Sequence, residues 1–288
     1  MTQKLTAKPI IKQIYSNLKS DIEKIHLSPK LVIIIIGNDP ASLYYVQNLE
    51  KRGNKIGIAV ETKKLPASIS MKKLLNEIEC LNKDGTVHGI MIQKPLPSHV
   101  NESEIIMKLD PKKDMDAFHP LNMGNLVLDK EGFVPCTPAA VLEILSFYNI
   151  ATEGKNIVII GRSNIVGKPL ANLLLRKNKT GNATVTICHS KTSDLGNVTG
   201  KADILIAAIG KALFVHSDMI KHNAIIIDVG VNQVKDAEKG YKYVGDVDYE
   251  NCLEKASAIT PVPGGVGSVT TAMLLKNVLL ACKNLSQK

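Results

Sequence analysis

Short apolar runs rich in β-branched residues recur along the chain, with segments of helical period between them. The runs lack the alternation of half-exposed strands, so they predict strands buried on both faces, as in parallel sheets. They are LVIIII at Leu31, HGIMI at His88, NIVII at Asn156, ATVTIC at Ala183, DILIAAI at Asp203 and AIIIDV at Ala224. Helices are predicted from Met71 (MKKLLNEIECLNK) and from Gly167 (GKPLANLLLRK). Strands alternating with helices indicate an α/β fold built of βαβ units.

A stretch rich in Pro, Gly and Asn, residues 116–138, carries no long periodic pattern and is typical of a crossing between lobes. We therefore predict two lobes, each with a mostly parallel sheet flanked by helices. An amphipathic segment from Ser268 predicts a C-terminal helix that returns to the first lobe. The predicted domains are 1–118 with 270–288, and 119–269.

Composition narrows the function classes. The 288 residues include no tryptophan and only 4% aromatics, which argues against the stacking platforms that bind single-stranded nucleic acid. The net charge is +9, but the lysines are spread out and form no basic block. A lysine-rich solvated surface explains this charge; an acidic small-molecule ligand is the alternative.

The cysteines and the N-terminus indicate a soluble cytoplasmic protein. Five widely separated cysteines without a C-x-x-C pair predict neither a disulfide framework nor a metal site, and they suit a reducing cytosol. The apolar run at Leu31 is too short to span a bilayer, and MTQKLTAKPI lacks a signal-peptide core.

The stretch NIVIIGRSNIVGKPL, from Asn156, predicts a strand, a glycine turn and a helix, the arrangement that holds dinucleotide phosphates. Gly161 and Gly167 can supply close backbone approach, although the G-x-G-x-x-G spacing is missing. By itself the turn fits an ordinary strand-to-helix connection equally well.

The next predicted strand ends ICHSKTSD, with Ser190 and Lys191 where NAD enzymes place an acidic residue for the ribose. Together with Arg162 they suit a 2′-phosphate, which favours NADP over NAD. The alternative is that Lys191 is a solvated lysine at a helix start.

Three further stretches combine turn residues with polar groups: GNDPASLYYVQN from Gly37, MIQKPLP from Met91 and TPVPGGVGSVT from Thr260. Each alone fits a turn. Together with the preceding motifs, and in this order, they closely resemble the bifunctional methylenetetrahydrofolate dehydrogenase/cyclohydrolase family. The matching pieces, from Asp39 to Gly267, are DPAS…YYV, GIMIQKPLP, KKDMDAFHP, PCTP, GRSNIVGKP, HSKT, IDVG, GDVD and TPVPGGVG.

The resemblance implies a homodimeric, two-lobed enzyme that holds folate in the cleft between a folate-binding catalytic lobe and a Rossmann-like NADP lobe. It implies that Tyr45 stacks on the aminobenzoate ring, Gln93 lines the reaction centre and Asp116 holds the pterin amidine edge, so these three are the candidate catalytic and substrate-binding residues. The loop with Pro263, Gly264 and Gly265 is expected to close over the substrate. The expected NADP-site residues are Gly161, Arg162, Ser163, Ser190, Lys191 and Val231. A polyglutamylated folate would also match the basic surface.

Five positions depart from the family pattern. Family members typically have glycine where this chain has Ala117 and Ala140, proline where it has Ser268, and leucine where it has Lys94. The fifth departure is Leu49, where the family carries its catalytic lysine, four residues after the tyrosine.

Leu49 shares a helix face with Tyr45 and cannot shuttle a proton, while neither Lys51 nor Arg52 is placed to replace a lysine there. We therefore expect oxidation of 5,10-methylenetetrahydrofolate by NADP+, with cyclohydrolase activity weak or lost. The alternatives are a fully bifunctional enzyme, a non-catalytic folate- or nucleotide-binding paralogue, and an unrelated NADP dehydrogenase on the same architecture.

Overall fold

Strands and helices alternate along most of the chain in this computed structural model, which describes residues 2–236 and 240–286. The strands are β1 (Gln3–Lys4), β2 (Lys30–Ile36), β3 (Ala59–Leu65), β4 (Gly89–Ile92), β5 (Asn156–Ile160), β6 (Thr184–Cys188), β7 (Ile204–Ala207), β8 (Ile225–Asp228), β9 (Asn232–Asp236), β10 (Gly240–Val244) and β11 (Ala258–Ile259). The helices are α1 (Ala7–Ile25), α2 (Pro40–Lys55), α3 (Met71–Lys83), α4 (Glu102–Lys108), α5 (Pro120–Val127), α6 (Cys136–Phe147), α7 (Gly167–Leu175), α8 (Leu195–Thr199), α9 (Tyr249–Cys252) and α10 (Val266–Ser286).

The chain divides into two compact units. The first unit comprises residues 13–136 and 271–288, and the second comprises residues 1–12 and 137–270. The structure therefore divides the chain after residue 136 rather than after residue 118. Residues 1–12 join the second unit because β1 pairs in parallel with β11, an association between segments far apart in sequence.

The first unit contains a parallel sheet in the order β3-β2-β4. Its central strand, β2, is buried from Leu31 to Ile36, which explains the unbroken apolar run. Leu74 and Ile78, four residues apart on α3, pack into the same core as Val32 and Ile34. The helix predicted from Met71 is thus confirmed, together with the face that it buries.

The second unit contains a parallel sheet in the order β1-β11-β8-β7-β5-β6. Strands β9 and β10, which follow β8 in sequence, form a separate antiparallel pair. The predicted strands at Asn156, Asp203 and Ala224 are its buried members β5, β7 and β8. The carboxyl ends of β5, β6 and β7 lie at one edge of the sheet, because these neighbouring strands run in parallel. Ligands of doubly wound folds bind at such an edge.

The C-terminal helix α10 returns to the first unit, as predicted. Asn277 Nδ2 donates to the carbonyl oxygens of Met115 at 2.9 Å and Val134 at 3.2 Å. Lys283 Nζ lies 3.1 Å from Asp21 Oδ2. By length and composition α10 qualifies as a membrane span, yet 61% of its most apolar window is buried within the protein, as in a core helix.

Parts of the secondary structure also differ from the sequence-based expectation. The run at Ala183 forms β6, which is an exposed edge strand and not one buried on both faces. The sequence of strand β3, AVETKKL, has only a weak apolar signal and does not predict a strand. The segment 116–138 contains α5, a short helix that begins at Pro120 and is capped by His119.

Candidate active site

The start of α2 is tied to the turn after β4. Asp39 caps the helix: its Oδ2 accepts from the backbone N–H of Ser42 at 2.8 Å, and Pro40 occupies the first helical turn. The Ser42 hydroxyl lies 2.7 Å from that Oδ2 and 3.0 Å from the carbonyl oxygen of Lys94. Two of the polar stretches singled out in the sequence, DPAS and IQKP, therefore meet.

Tyr45 faces inward and its neighbour Tyr44 does not. Tyr44 is 70% exposed, whereas Tyr45 is half-buried. Burial raises the pKa of the Tyr45 phenol to about 12, against the opposing effect of a hydrogen bond with Thr271, and the negative charge of Asp116 raises it further. The hydroxyl is therefore neutral at physiological pH. Tyr45 and Asp116 lie close enough to interact electrostatically.

Asp116 lines a narrow cavity of about 30 Å³ in the first unit. Burial, followed by the negative charge of Asp114, raises the pKa of Asp116 to about 7, and the positive charge of Lys94 acts in the opposite direction. The cavity is apolar at Ile90 and Ile92 and is also lined by Lys94. A carboxyl group of this pKa accepts hydrogen bonds from a ligand above neutral pH.

Gln93 follows the last residue of β4 and extends its ladder, because its backbone N–H donates to the carbonyl oxygen of Ile34 at 2.9 Å. Its side-chain Nε2 donates to the carbonyl oxygen of Lys94 at 2.6 Å. The side-chain Oε1 is buried and has no hydrogen-bond partner within the described part of the chain. A buried acceptor without a donor is costly, so this oxygen is suited to a donor on a ligand.

Leu49 is fully buried, with no exposed surface. It belongs to the buried face of α2 together with Ser42, Val46 and Gly53. Tyr45, one turn earlier, remains half-buried. The side chain of Leu49 contributes packing and no ionisable group to this helix.

The predicted nucleotide turn follows β5 and packs against the turn after β7. Gly161 has φ +130°, and a side chain there would overlap the carbonyl oxygen of Ala208. A side chain at Gly167 would overlap the carbonyl oxygen of Gly161. Helix α7 begins at Gly167. Its N-cap residue, Val166, makes no side-chain capping bond, and the backbone N–H of Lys168 donates to the carbonyl oxygen of Ser163 at 3.1 Å. The two glycines therefore produce a tight turn in front of a helix N-terminus, a local geometry that suits a phosphate.

The predicted 2′-phosphate residues lie at the same edge of the second sheet. Ile160 of β5 pairs with Cys188 of β6, so the residues that follow these two strands are neighbours. Arg162, Ser190 and Lys191 follow them and are exposed. The backbone N–H of Lys191 donates to His189 Nδ1 at 3.1 Å, and Ser163 Oγ accepts from Val166 N at 3.1 Å. These bonds shape the two turns and leave the cationic side chains exposed.

Val231 shares a second cavity, of about 280 Å³, with the proline-glycine loop. The lining includes these residues: Asp228, Gly230, Val231, Tyr243, Pro261, Pro263, Gly264, Gly265 and Ser268. Gly264 has φ +100°, a conformation that favours glycine. The structure therefore brings together one predicted cofactor residue and the three predicted loop residues. Val231 is 59% exposed and available for contact with a flat ligand.

Two buried carboxylates support this edge of the second sheet. Asp246 accepts from the backbone N–H groups of Ile209, Gly210 and Lys211 at 2.8–2.9 Å. Asp228 accepts from the backbone N–H groups of Gly230 and Val247, both at 2.9 Å. Burial raises the pKa of Asp228 to about 6. These side chains hold the turn after β7 and the segment after β8 in position.

Comparison with known families assigns both parts of the chain. Residues 5–116 match the catalytic domain of tetrahydrofolate dehydrogenase/cyclohydrolase, and residues 135–286 match its NAD(P)-binding domain. The chain belongs to the tetrahydrofolate dehydrogenase/cyclohydrolase family.

Curated relatives and solved structures are similar to this chain over nearly its whole length. The bifunctional protein FolD of Chlorobium phaeobacteroides is 51% identical over 93% of this chain and 94% of that protein. The structure of the bifunctional FolD methylenetetrahydrofolate dehydrogenase/cyclohydrolase from Campylobacter jejuni is 43% identical, with a TM-score of 0.92 and 99% of each chain covered. The dehydrogenase-cyclohydrolase of Trypanosoma brucei, complexed with NADP cofactor and an inhibitor, is 34% identical, with a TM-score of 0.93, over 100% of this chain and 99% of that chain.

The positions that depart from the family pattern occupy distinct environments. Lys94 lines the cavity of Asp116, and Ser268 lines the cavity of Val231. Ala117 and Ala140 are fully buried, the first with φ +58° and the second within α6. The sequence alone predicts no role for Ser42, Asp228 or Asp246. The motifs DPAS, IDVG and GDVD were visible, but only their long-range hydrogen bonds reveal what these polar groups hold.

Proposed function

We propose that the protein oxidises 5,10-methylenetetrahydrofolate to 5,10-methenyltetrahydrofolate by hydride transfer to NADP+. The observation that carries this proposal is the family match over both units of the chain, residues 5–116 and 135–286. The candidate folate residues Tyr45, Gln93 and Asp116 lie in the first unit, and the candidate nucleotide residues lie in the second unit, which also contains the loop of Pro263, Gly264 and Gly265.

The substrate residues have the chemistry that a reduced folate needs. Asp116 can accept two parallel N–H donors from the pterin amidine edge, and Tyr45 offers an aromatic face to the aminobenzoate ring. The unpartnered Oε1 of Gln93 can accept a hydrogen bond from the substrate. The loop that contains Pro263, Gly264 and Gly265 can approach a flat ligand closely, since its glycines carry no side chain.

The second unit fits NADP. The tight turn at Gly161 and Gly167, followed by the N-terminus of α7, suits the pyrophosphate, and the exposed side chains of Arg162, Ser190 and Lys191 suit a 2′-phosphate. When bound, NADP+ supplies the hydride acceptor. The residues of this chain bind the substrate and the cofactor, orient them and exclude water. No side chain therefore has to transfer a proton in the dehydrogenase step.

We further propose that cyclohydrolase activity is weak or lost. Attack of water on the methenyl carbon benefits from a positioned acid–base group, typically by about 10²–10⁴ in rate. Leu49 is fully buried and has no such group. The alternative is a fully bifunctional enzyme that yields 10-formyltetrahydrofolate, and it is favoured by the name of the relatives, bifunctional protein FolD.

One purified sample tests both half-reactions. Mixing the protein with NADP+ and 5,10-methylenetetrahydrofolate should raise the absorbance of NADPH, and decay of methenyltetrahydrofolate should stay near the buffer-catalysed rate. Absence of NADPH formation with folate still bound would support a non-catalytic paralogue. Absence of both turnover and folate binding would overturn the proposal.

We expect a cytoplasmic homodimer that acts on small folate derivatives, including polyglutamylated forms, and not on nucleic acid or membranes. The net charge of +9 matches the polyanionic glutamate tail. Analytical ultracentrifugation tests the oligomeric state. Comparison of KM for monoglutamyl and pentaglutamyl substrates at low and high salt tests the tail, because electrostatic attraction weakens with ionic strength.

A further inference from the structure

Lys94 is the cation of the narrow cavity that Asp116 lines. Its Nζ lies 2.6 Å from Glu102 Oε1 and 5.5 Å from the centre of the Phe118 ring. Glu102 and Phe118 line the same cavity. The ammonium group is thus held by a carboxylate and an aromatic face, although the side chain is 45% exposed.

The ammonium is close enough to Asp116 to act on it. The positive charge of Lys94 opposes the effects of burial and of Asp114 on the pKa of Asp116. An ammonium group has three N–H donors, and the described contacts include one hydrogen bond, to Glu102. Donor capacity therefore remains for a ligand that reaches Asp116.

The cavity, at about 30 Å³, is too small to enclose a bicyclic ring and can admit one edge of it. A pterin presents three adjacent groups on its pyrimidine edge: the 2-amino donor, the N3–H donor and the 4-oxo acceptor. A carboxylate matches the two donors, but it leaves the 4-oxo group without a partner. The cavity supplies an ammonium group beside the carboxylate.

We propose that Lys94 is a substrate-binding residue whose ammonium donates a hydrogen bond to the 4-oxo group of the pterin. This inference rests on the proposed folate function and assigns the pterin edge in full: Asp116 accepts from the 2-amino and N3–H groups, and Lys94 donates to O4. Lys94 therefore selects 4-oxo over 4-amino pterins, because an amino group at C4 would meet the ammonium donor to donor.

The test compares tetrahydrofolate with 4-amino-4-deoxytetrahydrofolate, which has an amino group at C4 and no hydrogen on N3. Because the contact of N3 with Asp116 also differs between the two ligands, the role of Lys94 is read from the change in preference between the wild type and a Lys94 variant. Their dissociation constants are measured by anaerobic calorimetry on the full-length protein. Lys94→Met keeps the length of the side chain and removes the charge. We expect the preference for the 4-oxo ligand to fall about tenfold in this variant, as for loss of one charge-assisted hydrogen bond.

Two further variants separate recognition from structural effects. Lys83→Met removes another lysine that pairs with a glutamate, Glu79 at 2.8 Å, outside the cavity, and should leave the ligand preference unchanged. Glu102→Gln removes the ion pair while keeping the ammonium, and should preserve the preference for the 4-oxo ligand.

The outcomes distinguish this assignment from the proposed function. If the wild-type protein binds neither ligand, the folate function fails, and the role of Lys94 fails with it. If the wild type binds the 4-oxo ligand and Lys94→Met keeps the same preference within about twofold, only the role of Lys94 is overturned. A loss in Glu102→Gln equal to that in Lys94→Met would also overturn it, because the ion pair would then set the preference.

Discussion

Asp228, in the motif IDVG (227–230), and Asp246, in the motif GDVD (245–248), each occupy the space that a side chain would need at the glycine of the other motif. A side chain at Gly245 would overlap the carboxyl group of Asp228, and one at Gly230 would overlap the carboxyl group of Asp246. The backbone N–H of Asp246 also donates to Asp228 Oδ1 at 3.0 Å. The motifs IDVG and GDVD therefore interlock at the edge of the second sheet, where we propose that NADP binds.

Gly245→Ala should destabilise the protein by about 2 kcal/mol or more, because overpacking next to a buried carboxylate forces the hydrogen-bonded backbone to shift. Thermal unfolding measures the loss. Gly196→Ala is the control: no atom lies within 4 Å of the added carbon, and the residue lies within α8, so stability should stay the same or rise slightly. Equal stability of the two variants would contradict the close packing of Gly245 against Asp228.

Asp116→Asn should raise KM for the folate substrate about 10- to 100-fold with little effect on KM for NADP+, because a charge-assisted acceptor is lost. In the wild type, KM for folate should fall as pH rises through about 7, since only the ionised carboxylate accepts both donors. The variant should lack this pH dependence. Steady-state kinetics between pH 6 and 8 test both statements, with the exposed Glu23→Gln as the control.

The same substitution should stabilise the protein without ligand at alkaline pH. Burial raises the pKa of Asp116 from its ordinary value of 3.8 to about 7, so the wild type loses stability as pH rises between these values. Asparagine does not titrate, so the advantage of Asp116→Asn should grow from pH 4 to pH 8. Melting curves of both proteins at these two pH values give the difference; a shrinking advantage would refute the assigned direction.

Lys191→Glu should raise KM for NADP+ at least tenfold more than KM for NAD+, because the glutamate repels a 2′-phosphate and can accept from a free 2′-hydroxyl. Lys179→Glu makes the same charge change at another exposed position of the second unit and should affect both cofactors alike. If kcat/KM of the wild type were higher for NAD+ than for NADP+, the proposed role of Ser190 and Lys191 at the end of β6 would be wrong.

Leu49→Lys should accelerate hydrolysis of methenyltetrahydrofolate, because it supplies a group that can move protons beside Tyr45. The lysine enters a fully buried position, so a lower melting temperature is also expected. Leu49→Met, which keeps an uncharged side chain, should leave hydrolysis near the buffer rate. Rapid hydrolysis by the wild-type protein would refute the proposed loss of this activity.

Replacement of the two buried alanines by glycine should have opposite effects. Ala117 has φ +58°, where an L-residue is strained, so Ala117→Gly should leave stability unchanged or raise it by about 1 kcal/mol. Ala140 lies within α6, so Ala140→Gly should cost about 1 kcal/mol through helix propensity alone. Unfolding midpoints of the two variants in urea provide the comparison, and the same sign for both would argue against strain at Ala117.

The sequence by itself determined the α/β class, the buried strands and the order of the motifs. Unbroken apolar runs such as those of β2 and β5 are strong local signals, because a strand covered on both faces has no polar alternation. Gly161 and Gly167 are also recognisable from the sequence, because a tight turn restricts the residue type locally. The family resemblance rested on such local motifs.

Only the tertiary structure decided which polar groups meet. Three features depend on residues that are distant in sequence. Strand β6 lies at the edge of its sheet, β1 pairs with β11, and Asp246 accepts hydrogen bonds from the turn after β7. Likewise, the sequence marks Lys94 only as a departure from the family pattern, whereas the structure shows that it lines the same cavity as Asp116. Periodicity records whether a side chain is buried, but hydrogen bonds and charge interactions depend on distances that only the folded chain creates.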